Sequence, residues 1–347
     1  MRAVFAKQIG GETPLDNLVT GERPAPELGA GEVRVRVRAA TLNHHDYFTL
    51  RGIVGYPVTT PRILGCDAAG TVLEYGPDRP AASPDPGAEV TVYPVEFCGE
   101  CAGCRSTDPM LCRRFMLLSD GTREGSFADE LVVPAHCVVP KPAALSFAQA
   151  ASLGTTYLTA YRMLFVKAAL APGSTVFVQG ATGGLATAAI QLARAAGFTV
   201  IASSRSQDKL DAAARTGAHF GVLAGRNAAK AVLALCPDGV DAVIESVGEP
   251  TWATSLRVLR EGGAVVVAGA TAGPNPPADL ARIFWRQLRI LGSTMGSFAE
   301  FTALERFVAA GRIAPIVDTV FPASEARAAF ERFVAGDFIG KLALSFE

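Results

Sequence analysis

The sequence predicts an α/β protein of two domains, a doubly wound parallel sheet joined to a β-rich lobe. Three observations lead there. At 347 residues the chain is too long for one ordinary core. Up to about residue 140 it shows short period-two stretches broken by Gly and Pro, and after Lys141 apolar strand-like runs alternate with helical periodicity.

In the first stretch, Gly31 to Ala40 alternates Val33, Val35 and Val37 with Arg34, Arg36 and Arg38, which puts valines on a core face and arginines on a wet one. The arginine row has no interleaved aromatics to act as a stacking platform for nucleic acid, so it reads as a solvated strand face. Further strands are expected near Gly70 to Glu74, Glu89 to Tyr93 and Phe127 to Val133. In the second stretch Ser174–Gln179, Thr199–Ser203, Phe220–Leu223, Val240–Glu245, Gly263–Ala268 and Arg289–Ser293 read as strands. Helical segments such as Leu185–Ala196 and Gln207–Thr216 lie between most of them. Two amphipathic segments, Ala299–Ala310 and Ser324–Ala335, precede a last strand-like Lys341–Phe346 and are expected to return to the first lobe. The expected domains are therefore 1–142 with 295–347, and 143–294.

A charge balance of 32 basic against 33 acidic residues gives no electrostatic case for a nucleic-acid or membrane-surface partner. The uncharged run Ala168 to Ala193 is divided by Pro172, Gly173, Gly180, Gly183 and Gly184 into strand, turn and helix start, so no membrane span is expected. Met1 to Lys7 lacks the apolar core of a signal peptide, and thiols available for metal imply a reducing compartment; the expected location is the cytoplasm.

Cys98, Cys101, Cys104 and Cys112 form a Cys-x2-Cys-x2-Cys-x7-Cys cluster within a loop at 96–114. The short spacings let a tight loop present three thiolates while the fourth closes a tetrahedral zinc site, the alternative being a disulfide pair. Four sulfurs fill the shell, so such a zinc is structural. Some seventy residues later Gly180, Ala181, Thr182, Gly183, Gly184, Leu185 and Ala186 form a turn between a strand and a helix. Small residues at 180, 183 and 186 allow a tight turn, close approach of backbone to a pyrophosphate, and close helix–sheet packing. The phosphates would meet the helix N-terminus. After the second strand, Ser203 and Ser204 stand where an NAD-selective site carries an acid, and Arg205 and Lys209 supply charge suited to a 2′-phosphate. NADPH is expected over NADH.

With these motifs in place the chain resembles the medium-chain dehydrogenase/reductase superfamily of zinc-binding alcohol dehydrogenases and quinone oxidoreductases, over essentially its whole length. The resemblance runs from Asn43-His-His-Asp46 through Gly65-Cys-Asp67, the four cysteines, Thr159-Ala-Tyr161 and the nucleotide turn to Gly340-Lys341. It implies a GroES-like catalytic domain interrupted by a Rossmann-type domain, with a cleft between them. It also implies that Thr159, Val247, Gly269, Ala270 and Lys341 lie along the cofactor, and that a homodimer forms through the nucleotide domain.

The departures carry as much information. The zinc-dependent branch holds a catalytic metal with a Cys where Asn43 stands, a His where Cys66 stands, and a Cys or acid near Thr155. Asn and Thr are poor zinc ligands, so a catalytic zinc is not expected. An unorthodox second metal on Cys66 with His44, His45, Asp46 and Asp67 stays open at this stage. Lacking a Lewis acid, hydride delivery to an enone or quinone is easier than oxidation of an unactivated alcohol. The resemblance to enoyl reductases suggests Tyr56 as proton donor, Asn43 orienting substrate or nicotinamide, and His45 as a relay. Apolar and aromatic residues in the Asn43–Pro57 loop, with Phe284, Trp285 and Phe298, suit a small hydrophobic carbonyl or quinone. The alternatives are an alcohol or aldehyde dehydrogenase, and a nucleotide-binding protein of structural or RNA-associated role.

Overall fold

The computed structural model describes residues 1–52, 58–106, 108–121, 123–311 and 313–347. The chain divides into two compact units, Met1–Thr155 with Ser297–Ala309 and Val317–Glu347, and Thr156–Gly296 with Ala310–Ile316. The first junction thus falls thirteen residues beyond the 142/143 expected. The reason is the helix Phe147–Ala151, which Ser146 starts by accepting the Gln149 N–H at 3.2 Å. This helix packs on the strands Glu32–Thr41 and Ala69–Tyr75 and sets Ala148 against Ala39 and Ala343, all in the first unit. Residues 310–316 join the second unit, where Gln191 Nε2 donates to the Ala314 carbonyl at 3.0 Å.

In the second unit six parallel strands lie in the order Phe220–Leu223, Thr199–Ser204, Thr175–Val178, Val240–Glu245, Leu259–Val267, Arg289–Gly292. Counted along this unit the order is 3-2-1-4-5-6, a Rossmann-type sheet whose order reverses at Thr175–Val178. Val176, Phe177 and Val178 are fully buried, as expected of a central strand covered by helices on both faces. One side packs Phe177, Ile201, Val243 and Val265 against Trp252 and Leu256, and each such side chain contributes about 1.5–3 kcal/mol on burial. The expected strands appear with small shifts of their ends, except that the one expected at Gly263–Ala268 starts four residues earlier and runs Leu259–Val267.

The first unit is built on a mostly antiparallel sheet of Val138–Pro140, Glu89–Val92, Ala69–Tyr75, Glu32–Thr41, Lys341–Ser345 and Val317–Pro322, with Glu130–Pro134 also paired to Glu32–Thr41. Val33, Val35 and Val37 are buried on its inner face. Of the arginines between them, Arg34 pairs with Glu74 and Glu130, both at 2.9 Å, and Arg38 with Glu347 at 2.6 Å. That is an ion-paired surface rather than a nucleic-acid platform. The last strand returns as expected and pairs antiparallel with Glu32–Thr41, Ala343 opposite Thr41. Among the described residues no helix is long and apolar enough to cross a membrane.

The helix Phe298–Gly311 buries Phe301, Leu304 and Val308 and, on the same side, Glu305. Burial pushes the Glu305 carboxyl up from 4.5 to about 8, and the Thr91 hydroxyl offsets only part of this. An acid that binds its proton more tightly folded than unfolded loses stability as pH rises from about 4.5 through 8. Glu305→Gln removes that loss. The variant is expected to gain on the parent steadily across this window, by at most about 5 kcal/mol above pH 8, as read from urea midpoints at pH 5, 7 and 9.

Candidate functional site

In the first unit the side chains singled out at 43, 66 and 155 converge. Asn43 precedes the helix His44–Arg51, and its backbone N–H is capped by Asp46 Oδ2 at 2.7 Å. Its side-chain Nδ2 donates to Asp67 Oδ2 at 2.9 Å and to the Thr41 carbonyl at 3.3 Å, and lies 3.5 Å from Cys66 Sγ. Lys341 Nζ donates to Asn43 Oδ1 at 2.5 Å, to the Leu42 carbonyl at 2.7 Å and to Asp67 Oδ2 at 3.4 Å. Asp67 also accepts the hydroxyls of Thr41 at 2.6 Å and Thr155 at 2.5 Å. The Thr155 proton is thereby committed, so the Cys66 thiol, 3.4 Å away, is the donor of that pair. Burial, with Asp46 and Asp67 nearby, holds the Cys66 pKa well above 9, in keeping with a neutral thiol.

Thr155 reaches Asp67 because Gly154 precedes it: a Cβ at 154 would stand 2.8 Å from Asp67 Oδ1. The result is a hydrogen-bonded cluster centred on Asp67 and neutralised by Lys341. Lys341, expected along the cofactor, finds three acceptors inside this unit. Asn43, expected to orient substrate or nicotinamide, supports the cluster through its amide.

His45 Nε2 lies 2.9 Å from Asp120 Oδ1. Burial works against its charge, but the hydrogen bond and charge of Asp120 outweigh this, and its pKa is raised above 6.5. Asp46, fully buried, is pushed up to about 6 by burial, although His45 and the Asn43 N–H work against this. His44 packs edge-on against Phe333, its ring 4.9 Å away. Tyr56 lies outside the described residues.

The loop carrying the four cysteines is closed at its base by antiparallel pairing of Val95–Glu96 with Met116–Leu117. All four sulfurs lie within 4.8 Å of one another, and this is the group of three or more His, Cys, Asp or Glu that could hold a metal among the described residues. Four of the separations are 3.7 Å (Cys98–Cys104), 3.6 Å (Cys101–Cys104), 3.8 Å (Cys101–Cys112) and 3.5 Å (Cys98–Cys112). A zinc–sulfur bond of about 2.3 Å gives a tetrahedron edge of about 3.8 Å, so these residues fit zinc. Cys112 Sγ also accepts the N–H groups of Cys98 at 3.4 Å and Arg114 at 3.3 Å.

In the second unit a cavity of about 810 Å³ opens at the carboxyl ends of Thr175–Val178, Thr199–Ser204 and Val240–Glu245, where the strand order reverses. Of the expected residues Gly180, Ala181, Thr182, Gly183, Ser203, Ser204, Arg205, Lys209 and Val247 line it. The helix Gly184–Ala195 starts there with Gly183 as N-cap and no side-chain cap, leaving its first N–H groups for a ligand. A Cβ on Gly183 would meet no protein atom within 4 Å, so the glycine keeps space open in the cavity rather than permitting protein packing. The residues present fit a dinucleotide pyrophosphate.

Gly184 and Leu185 begin the helix behind this wall. Gly269 and Ala270 immediately precede Thr271 and Ala272, which line the cavity in their place. Thr159 is buried with its hydroxyl 3.8 Å from Met295 Sδ and is not among the lining residues. Ser206, Ala224, Gly225, Pro250 and Thr251 complete the wall without having been singled out in the sequence. The first three are loop residues, which follow no periodicity, and Pro250 and Thr251 stand in the first turn of the helix Glu249–Arg257.

A Rossmann-type unit with a glycine-cradled cavity and, in the same chain, a GroES-like unit with a four-cysteine knot define a nicotinamide-dependent oxidoreductase. Residues 29–143 match the alcohol dehydrogenase GroES-like domain and residues 184–310 the zinc-binding dehydrogenase domain. The chain belongs to the medium-chain dehydrogenase/reductase family and is an NAD(P)-dependent enzyme. It is 31% identical over 370 residues to a zinc-type alcohol dehydrogenase-like protein of Schizosaccharomyces pombe, covering 100% of this chain and 99% of the relative. A solved NAD-dependent alcohol dehydrogenase superposes with a TM-score of 0.94 at 35% identity over 100% of both chains. The structure of the 2-octenoyl-CoA carboxylase reductase CinF, in complex with NADP and 2-octenoyl-CoA, gives 0.90 at 27% identity over 99% of this chain and 87% of that one.

Proposed function

We propose that this enzyme is an NADPH-dependent reductase of a small hydrophobic α,β-unsaturated carbonyl or quinone, with a structural zinc on Cys98, Cys101, Cys104 and Cys112 and no catalytic metal. One observation carries the reading. The three positions that ligate metal in the zinc-dependent branch hold an amide, a neutral thiol and a hydroxyl, hydrogen-bonded around Asp67, and Lys341 supplies the positive charge there. A second cation would be set against the Lys341 ammonium and would have to displace the Cys66 proton.

When bound, the nicotinamide supplies the hydride. The chain's part is to hold the pyrophosphate at Gly180–Gly183 and the helix N-terminus, and a 2′-phosphate through Arg205 and Lys209. Polar side chains then stabilise the oxygen on which negative charge develops. Tyr56 is the proposed proton donor, and His45, held by Asp120, can carry a proton near neutral pH. Carboxylase/reductases of enoyl thioesters among the relatives support reduction of a conjugated carbonyl. The second reading, alcohol oxidation, is favoured by the 35% identity to an NAD-dependent alcohol dehydrogenase. A homodimer is proposed along the sheet edge Arg289–Gly292, beside which Phe284 and Trp285 stand exposed. The cytoplasm is the proposed location.

NADPH consumption over quinones, enones and aldehydes, with and without a chelator, tests the reading. Turnover of enones or quinones that persists after brief chelation, with one zinc per chain, is expected. Metal-dependent oxidation of alcohols with two zincs per chain would establish the second reading.

A further inference from the structure

Beneath the coenzyme cavity the second unit buries a carboxylate that the proposed mechanism does not use. Glu245, fully buried at the end of Val240–Glu245, has no cationic partner among the described residues. It is held by donors alone. Oε1 accepts the N–H groups of Val247 at 2.8 Å and Gly248 at 3.2 Å; Oε2 accepts the Ser255 hydroxyl at 2.6 Å; Thr251 Oγ1 lies 3.0 and 2.9 Å from the two oxygens. Val247 and Thr251 line the cavity, so the carboxylate fixes one of its walls.

The polarity of the bonds extends this control to a second lining residue, Ser203. A carboxylate only accepts, and Ser255 has a single proton, which goes to Glu245 at 2.6 Å in preference to the Thr251 carbonyl at 3.1 Å. Ser255 Oγ must then accept from Gln179 Nε2, 3.0 Å away, which turns the Gln179 carbonyl toward Ser203. Ser203 gives its one proton to that carbonyl at 2.5 Å. Ser203 lines the cavity while only 2% exposed, and with its proton committed its hydroxyl has lone pairs alone for a coenzyme. It can accept from a ribose hydroxyl, which both coenzymes carry, and it cannot donate to a phosphate.

We propose that Glu245 is a positioning residue for the coenzyme, holding the Val247–Gly248 turn by its backbone and, through Ser255 and Gln179, fixing the Ser203 hydroxyl as a hydrogen-bond acceptor toward the cavity. The inference deepens the NADPH reading by removing Ser203 from the 2′-phosphate contacts and leaving these to its neighbours Ser204, Arg205 and Lys209.

The test is the dissociation constants of NADPH and NADH, from protein fluorescence quenching, with thermal melts, for wild type, E245Q, S255A, S203A and R205A. E245Q, S255A and S203A are each expected to weaken both coenzymes by about five- to tenfold, the size of one net hydrogen bond, when measured below their melting ranges. R205A is expected to weaken NADPH alone. A folded E245Q with a lowered melting temperature and both dissociation constants within about twofold of wild type would show a merely structural carboxylate and overturn the proposal. So would an S203A that loses NADPH and keeps NADH, since Ser203 would then be donating to the phosphate. Should E245Q not fold, S255A and S203A decide by the same criteria. A wild type that prefers NADH overturns the NADPH reading, and this inference is then decided by the variant-to-wild-type ratios for NADH.

Discussion

Lys341→Met is expected to destabilise the protein by about 3–5 kcal/mol, because it leaves a fully buried Asp67 with neutral donors only. The pair is almost completely removed from water, with side-chain exposures of 3% for Lys341 and 0% for Asp67. A salt bridge at that depth adds little net stability over an apolar replacement, yet breaking it from one side exposes the full cost of an unmatched charge. The double variant Asp67→Asn with Lys341→Met is therefore expected to recover a large part of the loss. Urea midpoints of the parent, the two single variants and the double variant measure the coupling directly. A single Lys341→Met within about 1 kcal/mol of the parent would remove Lys341 as the counter-charge of the cluster. NADPH binding by Lys341→Met, assayed below its melting range, is expected to match the parent if the ammonium serves the cluster, where it donates to Asn43, the Leu42 carbonyl and Asp67.

This ion pair also marks where sequence reasoning reaches its limit. Asp67 and Lys341 are 274 residues apart, and their meeting depends on the last strand lying beside Glu32–Thr41, a register that no local pattern encodes. What was legible rests on local periodicity. The alternation of Val33 to Arg38, the strand–helix repeat after Lys141 and the Gly180–Gly183 turn all express themselves within a dozen residues, and each appears in the structure. The helix His44–Arg51 was missed for a local reason. Its apolar spacing is poor, with the polar Asp46 and Thr49 buried, whereas its start is written in Asn43-x-x-Asp46, a capping pattern that was read through family likeness instead. The strand Val317–Pro322 alternates half-buried with exposed residues and pairs parallel with Lys341–Ser345, a partner about twenty residues on that its own sequence does not announce. At the coenzyme cavity the phosphate turn was visible. The buried chain from Ser203 through Gln179 and Ser255 to Glu245 was not, since it links three strand ends and a helix that only the folded sheet brings together.

Cys104→Ser is expected to abolish metal binding at the four-sulfur knot and to unfold the loop it holds. That loop has no apolar core of its own. The short helix Ala102–Arg105 and the turn Pro109–Leu111 bury no residue, and Leu111 is 64% exposed. Nor do the bare thiols hold together by themselves. Backbone N–H groups of Glu100 and Cys101 lower the Cys98 pKa to about 6, while burial and the neighbouring sulfurs push Cys104 up to about 12. Four sulfurs 3.5–3.8 Å apart cannot all be thiolates unless a cation stands among them, so the free energy of binding zinc is also the folding energy of this loop. In small zinc domains that quantity is about 10–16 kcal/mol, and removing one thiolate forfeits much of it. Metal analysis is expected to fall from one zinc per chain to near none, and trypsin to cut at Arg105, Arg113 or Arg114 in the variant but not in the parent. Coenzyme binding, which uses residues of the second unit, should remain, separating loss of the loop from general unfolding. A metal-free parent that resists trypsin and melts unchanged after prolonged chelation would mean that the loop stands without a cation.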